Sequence, residues 1–313
     1  MTFLTLVKMF PTEESVIKYY INTRYPDGVK CNYCGSEKVY QEHKRPKVFS
    51  CNDCKTTFSP FKGTIFEKSS TDMRKWMYAI HLFINGKKGI SGLQLQREID
   101  VTYKTAWRML HQIRKAMGNS ENQEFFDTII EMDETYVGGK PRKENGYNDD
   151  DNDDDNNATP PRVNKRGRGT NKTPVVGVID RNNKKVFAKI ALPNKEGKKL
   201  TAKQLIDILK TVSKQENGNT IITDEFKSYD PLKRNNFVHL RIDHTEGFSD
   251  NNGTHTNNIE SFWATLKRGV YGIYHHISVK YMQKYVDEFC FRYNNRENNS
   301  MFNLVLKQSV LVA

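Results

Sequence analysis

The chain has 313 residues, 27% of them charged, with 49 Lys+Arg against 37 Asp+Glu and a net charge of +12. That length can bury a sizeable core in two or three domains, and the basic excess points to a polyanion partner, nucleic acid being the commonest. No stretch approaches the roughly 18 apolar residues of a membrane span, Lys8 interrupts the apolar N-terminus so that no signal peptide is expected, and four cysteines in two Cys-x-x-Cys pairs suit a reducing compartment better than a disulfide framework.

The charge is segregated. Residues 1–120 hold 20 Lys+Arg against 10 Asp+Glu, residues 121–160 hold 3 against 13, and residues 161–313 hold 26 against 14. In the first 65 residues Thr12 can cap a helix over 12–20, with Glu13 and Glu14 in its first turn. Pro26-Asp27-Gly28 is a turn. Cys31-Asn32-Tyr33-Cys34 and Cys51-Asn52-Asp53-Cys54 then form two knuckles, with hairpin strands expected at 38–40 and 48–50 between them. Four thiolates make a closed tetrahedral site, so Cys31, Cys34, Cys51 and Cys54 predict a structural Zn2+ whose binding supplies the energy a small core lacks. Lys44, Arg45, Lys47, Lys55 and Lys62 around it are either a phosphate-contacting face or ordinary solvated charge.

Residues 66–120 read as a helical region. Ser70 or Thr71 can cap a helix to residue 84, with Met73, Trp76, Met77, Ile80 and Phe83 on one face. Helices over 91–99 and 103–117 follow, joined by Asp100-Val101-Thr102. The second carries Lys104, Arg108, Arg114 and Lys115, which fits a DNA-reading helix-turn-helix and equally fits plain helical packing.

From residue 121 an α/β pattern with a mixed sheet is expected: a strand over 128–137, a strand pair at 175–179 and 185–192, a helix over 201–215, strands at 220–224 and 237–242, and helices over 255–269 and 278–293. An Asp/Asn-rich insertion at about 143–172 cannot bury apolar surface and is expected to be disordered, and Lys165-Arg166-Gly167-Arg168 inside it is a phosphate contact, a nuclear address or a solvated loop. A carboxylate within a buried strand needs a partner, and a metal ion is one that favours its charged form. Asp133 is such a carboxylate, and Asp224 ends a strand where α/β sheets place ligand chemistry. Strand alternation turns Glu134 away from Asp133 and leaves Glu131 on its face as a decoy. In the 255–269 helix, Glu260 and Lys267 share a stripe with Asn257 beside the apolar stripe of Ile259, Phe262, Trp263 and Leu266.

Pro26-Asp27-Gly28-Val29-Lys30-Cys31, Met132-Asp133-Glu134-Thr135-Tyr136-Val137-Gly138-Gly139, Ile222-Thr223-Asp224, the 255–269 helix and Phe291-Arg292-Tyr293-Asn294-Asn295-Arg296 together resemble the Merlin-type (ISXO-like) insertion-sequence transposases, within the DDE transposase and retroviral-integrase superfamily. The resemblance spans nearly the whole chain except the insertion, which departs from the compact bacterial pattern. It implies a ribonuclease-H-like catalytic domain over 121–313, preceded by a zinc ribbon over 1–65 and a small helical domain over 66–120. Asp133 and Asp224 would be metal ligands, Glu260 the third acid with Asn257 as its rival, and Lys267 the accompanying base. Hard oxygen ligands suit Mg2+ or Mn2+, and two such ions would serve an in-line displacement at phosphorus. The expected activity is cleavage at transposon inverted-repeat ends and transfer into target DNA, by a homo-oligomer, in the nucleus of a eukaryote or otherwise in the cytoplasm or nucleoid. A catalytically idle DNA-binding descendant is the alternative, and an RNA-binding ribbon protein would leave the carboxylates unexplained.

Overall fold

In a computed structural model of the chain, the residues described are 2–118, 126, 129–138, 172–194, 197, 200–213, 218–224, 226–235, 237–242 and 255–311. The expected insertion lies outside them except for Lys172, and so do the 165–168 basic run and Glu225. The first helices and strands are α1 (Phe3–Met9), α2 (Glu13–Arg24), β1 (Val39–Glu42), β2 (Arg45–Cys51), β3 (Thr57–Phe58), α3 (Met73–Asn85), α4 (Gly92–Ile99) and α5 (Tyr103–Gly118). They are followed by β4 (Ile129–Val137), β5 (Thr173–Asp180), β6 (Lys185–Ile190), α6 (Ala202–Val212), β7 (Thr220–Thr223), β8 (Val238–Arg241), α7 (Asn257–Gly269), α8 (Val279–Asn294) and α9 (Met301–Leu311). A 3-10 segment, Lys227–Asn235, lies between β7 and β8, and one π turn, Val270–Tyr274, extends α7. Two compact units result: Met1–Glu124 with Lys284–Ala313, and Phe125–Gln283. The segment from Lys284 onward, expected with the catalytic domain, thus groups with the N-terminal elements.

In the first unit, helices begin where hydroxyls can take up first-turn N–H groups. Thr12 accepts from Ser15 in a capping box, and Ser91 accepts from Gln94. Asp72, rather than Ser70 or Thr71, caps α3 by accepting from the Arg74 N–H at 2.7 Å. The α3 stripe of Met73, Trp76, Met77, Ile80 and Phe83 is buried, as its periodicity predicts. β1, β2 and β3 form a small antiparallel sheet around the cysteines. Of the basic residues of α5, which fit a DNA-reading helix or plain packing, Arg114 packs inward: it is 1% exposed and its Nε–H donates to Glu288 Oε2 at 2.8 Å. Arg292 donates to the other Glu288 oxygen at 2.9 Å and to the carbonyls of Phe83 and Ile84 at the end of α3. A buried carboxylate is tolerated only with such pairing. Arg108 donates to the Glu67 carbonyl, leaving Lys104 and Lys115 as the exposed cations of the helix.

The second unit is built on a five-stranded sheet in the order β6-β5-β4-β7-β8. β5 is antiparallel to β4 and β6, while β4, β7 and β8 run parallel. Counted within the unit the order is 3-2-1-4-5 with the second strand alone reversed, which is a ribonuclease-H-like sheet. One face packs Ile130, Met132, Val176, Val178 and Ile221 against Leu205 and Leu209 of α6 and Tyr229 and Leu232 of the 3-10 segment. The other face carries α7, which lies against β4 and β5. Gly177 makes that approach possible: a Cβ there would meet the Trp263 ring at 2.5 Å and Ile259 Cδ1 at 2.9 Å.

Candidate metal centres

The four cysteines come together as the spacing predicts. Their sulfurs lie within 4.8 Å of one another, with Cys31–Cys54 and Cys34–Cys51 each at 3.6 Å. A tetrahedron with Zn–S bonds near 2.3 Å has sulfur–sulfur edges of about 3.8 Å, and a disulfide would need about 2.05 Å, so the donor set fits zinc. Both knuckles use the same backbone turn. The Gly35 N–H donates to the Cys31 carbonyl at 2.9 Å, and the Lys55 N–H to the Cys51 carbonyl at 3.1 Å. Gly35 and Lys55 hold φ of +73° and +58° to close them. Burial pushes the Cys31 thiol up, but N–H groups of Cys34 and Tyr33 and the neighbouring thiols outweigh it and bring it down to about 6. The thiolate is the form that ligates metal.

The second centre lies at the C-terminal end of β7. Asp133, Glu134 and Asp224 each offer a carboxylate oxygen within 4.8 Å of the others. Asp133 comes from the middle of β4, and Asp224 follows Thr223, the last residue of β7. The ladder pairs Glu131 with Ile222, so the same register extended by two sets Asp133 beside Asp224. β7 stops there while β4 continues. Among the described residues no strand pairs with β4 on that side beyond the stop, and side chains from both of its faces can turn to one point. That is how Glu134, assigned to the opposite face by alternation, joins the cluster. Its Oε2 accepts from the buried Tyr229 hydroxyl at 2.8 Å. The Phe226 N–H donates to Asp224 Oδ1 at 3.0 Å, and the Trp263 indole N–H to Asp133 Oδ2 at 3.0 Å.

Burial first, then the Glu134 and Asp224 charges, push the Asp133 carboxyl up to about 7, against the lowering effect of the Glu134 N–H and the Trp263 indole. Three clustered carboxylates whose ionised forms repel are a hard-donor set short of positive charge, which suits a Mg2+- or Mn2+-like cation. Glu260 is not in this cluster. It is exposed on the first turn of α7, where Thr256 Oγ1 donates to its Oε1 at 2.9 Å. Lys267 is exposed in the last turn, and Asn257 is exposed as the first residue of the helix.

Glu131 is no idle decoy. It is 0% exposed and accepts from the backbone N–H groups of Asn258 and Ile259, both at 3.1 Å, through Oε2. Through Oε1 it accepts from Asn258 Nδ2 and Arg181 Nε, both at 2.7 Å. Sequence reasoning missed Glu131, Glu134 and Trp263 as parts of one frame. The available signal was length: a nine-residue strand beside a four-residue one must overhang it.

A family model described as an ISXO2-like transposase domain matches residues 126–294, and one described as a transposase zinc-ribbon domain matches residues 11–57. An uncharacterised protein in transposable element ISH50 of Halobacterium salinarum is 29% identical over 276 residues, covering 84% of this chain and 87% of that protein. An uncharacterised transposase-like protein of Haemophilus influenzae is 36% identical over 90 residues, covering 29% of this chain and 71% of its own. Among solved structures, a pre-cleavage Mos1 transpososome is 13% identical with a TM-score of 0.30, covering 74% of this chain and 78% of that one. A Mos1 mariner paired end complex with Mn is 14% identical with a TM-score of 0.31, covering 72% and 76%. Likenesses that slight bear on nothing beyond themselves.

Proposed function

Since the chain belongs to the ISXO2-like transposase family, we propose that it is a DNA transposase that cleaves at transposon inverted-repeat ends and transfers the freed end into target DNA. The observation that carries this is the meeting of Asp133 and Asp224, from separate strands, with Glu134 beside them. Asp133 and Asp224 are the ligands of a divalent cation, Mg2+ or Mn2+, and Glu134 stands close enough to join them. Bound there, such cations lower the pKa of an attacking hydroxyl and offset charge on the leaving oxygen in an in-line displacement.

The protein's own part is to hold these groups and the DNA. The Trp263 indole fixes one oxygen of Asp133, and Tyr229 fixes one of Glu134. Glu260 takes the third acidic position, with Asn257 as its rival; three residues before Trp263 it is about 4.5 Å away along the helix axis. Lys267 and Arg268, exposed at the end of α7, hold substrate phosphates. Cys31, Cys34, Cys51 and Cys54 hold a zinc with no open position, whose role is to fold the ribbon. Joining two ends to one target calls for more than one catalytic centre, so the working form is a homo-oligomer on DNA, acting in whichever compartment, nucleus or nucleoid, holds that DNA.

An idle DNA-binding descendant would have no use for converging carboxylates, which favours the active enzyme. The test is purified protein with Mg2+ on DNA carrying the inverted repeat, scored for strand cleavage at the end. Asp133→Ala and Asp224→Ala should each abolish cleavage and leave DNA binding intact. Cleavage at the wild-type rate by both variants would defeat the assignment.

A further inference from the structure

We propose that Glu131 and Trp263 form a two-point clamp that sets the register of α7 along β4, and through it the position of the metal-binding carboxylate Asp133. The inference rests on the metal site proposed above and adds positioning residues to it. Its first point is Glu131. The N-cap residue of α7, Thr256, makes no side-chain cap bond; its hydroxyl donates to Glu260 instead. Glu131 supplies the missing cap from the neighbouring strand, accepting the N–H groups of Asn258 and Ile259. A negative charge there also complements the positive end of the helix dipole. Arg181, at the β5–β6 turn, compensates the buried carboxylate and also donates to the His255 carbonyl just before the helix. The start of α7 is thus tied to β4 and to the β5–β6 turn.

The second point is the Trp263 indole on Asp133 Oδ2. The two points match in spacing. Glu131 to Asp133 is two residues of strand, about 6.6 Å at ~3.3 Å each. From between Asn258 and Ile259 to Trp263 is four and a half residues of helix, about 6.8 Å at ~1.5 Å each. Equal advances in the same chain direction mean that α7 runs along β4 and cannot slide without breaking both bonds. A shift by one helical residue, about 1.5 Å, would move Trp263 out of hydrogen-bonding range of Asp133. Glu260 and Lys267 ride on the same helix, so the clamp places them too. Gly177, paired with Asp133 across β5, leaves the space through which the indole reaches.

Ligand-orienting partners of this kind typically cost ten- to a hundred-fold in metal affinity when lost. The experiment is calorimetric Mn2+ binding to the zinc-loaded full-length chain, for the wild type, Glu131→Gln, Trp263→Phe, the double variant and Asp133→Asn. Amide hydrogen exchange over residues 257–263 is followed in parallel. Glu131→Gln and Trp263→Phe should each weaken Mn2+ binding by about ten- to a hundred-fold. The double variant should be little weaker than the poorer single one, because both act through one register. Exchange at Asn258 and Ile259 should quicken in Glu131→Gln. Wild-type Mn2+ affinity and wild-type exchange in Glu131→Gln would overturn the clamp, as would penalties that simply multiply. If Glu131→Gln fails to fold, Trp263→Phe decides, and wild-type affinity there overturns it. Asp133→Asn should lose the site. If it binds as the wild type does, the metal assignment falls, and the clamp then stands or falls on the exchange result.

Discussion

Gly177→Ala should destabilise the second unit, although the same change in an ordinary strand stabilises it. A glycine in a strand costs about 0.5–1 kcal/mol relative to alanine. Here the added Cβ would lie 2.5 Å from two carbons of the Trp263 ring, Cη2 and Cζ2, where contacting carbons prefer about 3.5–4.0 Å. The ring must retreat by about 1 Å, and it cannot swing into solvent, being only 3% exposed and tethered to Asp133. Overpacking of this kind costs about 1–3 kcal/mol, and a hydrogen bond that stretches by an ångström forfeits about 0.5–1.5 kcal/mol more. The two penalties overlap, so the net is about 1–4 kcal/mol after the strand gain. At roughly 2–4 °C per kcal/mol for a unit of this size, the midpoint should fall by about 2–16 °C. Thermal unfolding followed by circular dichroism on metal-free protein measures it. Gly272→Ala is the control, since a Cβ there meets nothing within 4 Å. A Gly177→Ala protein as stable as the wild type, or more so, would refute the packing of α7 on β5.

Native mass spectrometry should find one zinc per chain, lost in Cys31→Ser; a wild-type mass without zinc would remove the ribbon site. Glu134→Gln, Glu260→Gln and Asn257→Ala separate the rivals for the third acidic position: the one holding it should lose end cleavage by orders of magnitude, and cleavage by Glu260→Gln at the wild-type rate would pass the position to one of the others. The metal-free protein should grow less stable as pH rises from about 4 to about 7. Asp133, pushed up to about 7 by burial and by Glu134 and Asp224, holds a proton that its unfolded form releases near ~3.9. Its contribution is therefore whole below the unfolded value and lost as pH climbs through the folded one. Mn2+ should reverse the trend at the upper end by taking the ionised form, and denaturant melts that stay flat across the window would show that no proton is held there.

Much of the fold is legible in the residues because local signals and packing agree. Thr12, Ser91 and Thr201 are helix starts by chemistry and are caps in the structure. The strands over 129–137, 173–180, 185–190, 220–223 and 238–241 fall within two residues of their expected positions at every end. What periodicity missed is held by tertiary contact. α1 is seven residues long and buries a single one, Leu6. The 3-10 segment after β7 has Pro231 inside it, which reads locally as a breaker, yet it buries Tyr229 and Leu232. α9 lies among few polar residues, so its buried face of Phe302, Val305 and Leu306 does not stand out from its surroundings.

The site was legible in its strand carboxylates and illegible in the division of labour among them. Three acids in four residues, Glu131, Asp133 and Glu134, were sorted by alternation alone, which treats a strand as having two uniform faces. Alternation holds where a strand has neighbours on both sides. β4 has β5 throughout but loses β7 after three paired residues, Ile129 to Glu131. Inside the paired stretch, a carboxylate facing the α7 side can be stable only if something in that layer neutralises it. Arg181 and the start of α7 do so, and Glu131 becomes a structural anchor. Past the paired stretch the polar end of the sheet is open, and acids from both faces can share one cation. The same residue type therefore serves two ends according to where a neighbouring strand stops. The stop is written in the sequence, in the brevity of Thr220–Thr223 against Ile129–Val137, and comparing strand lengths before assigning faces brings Glu134 to the same strand end as Asp133 and Asp224.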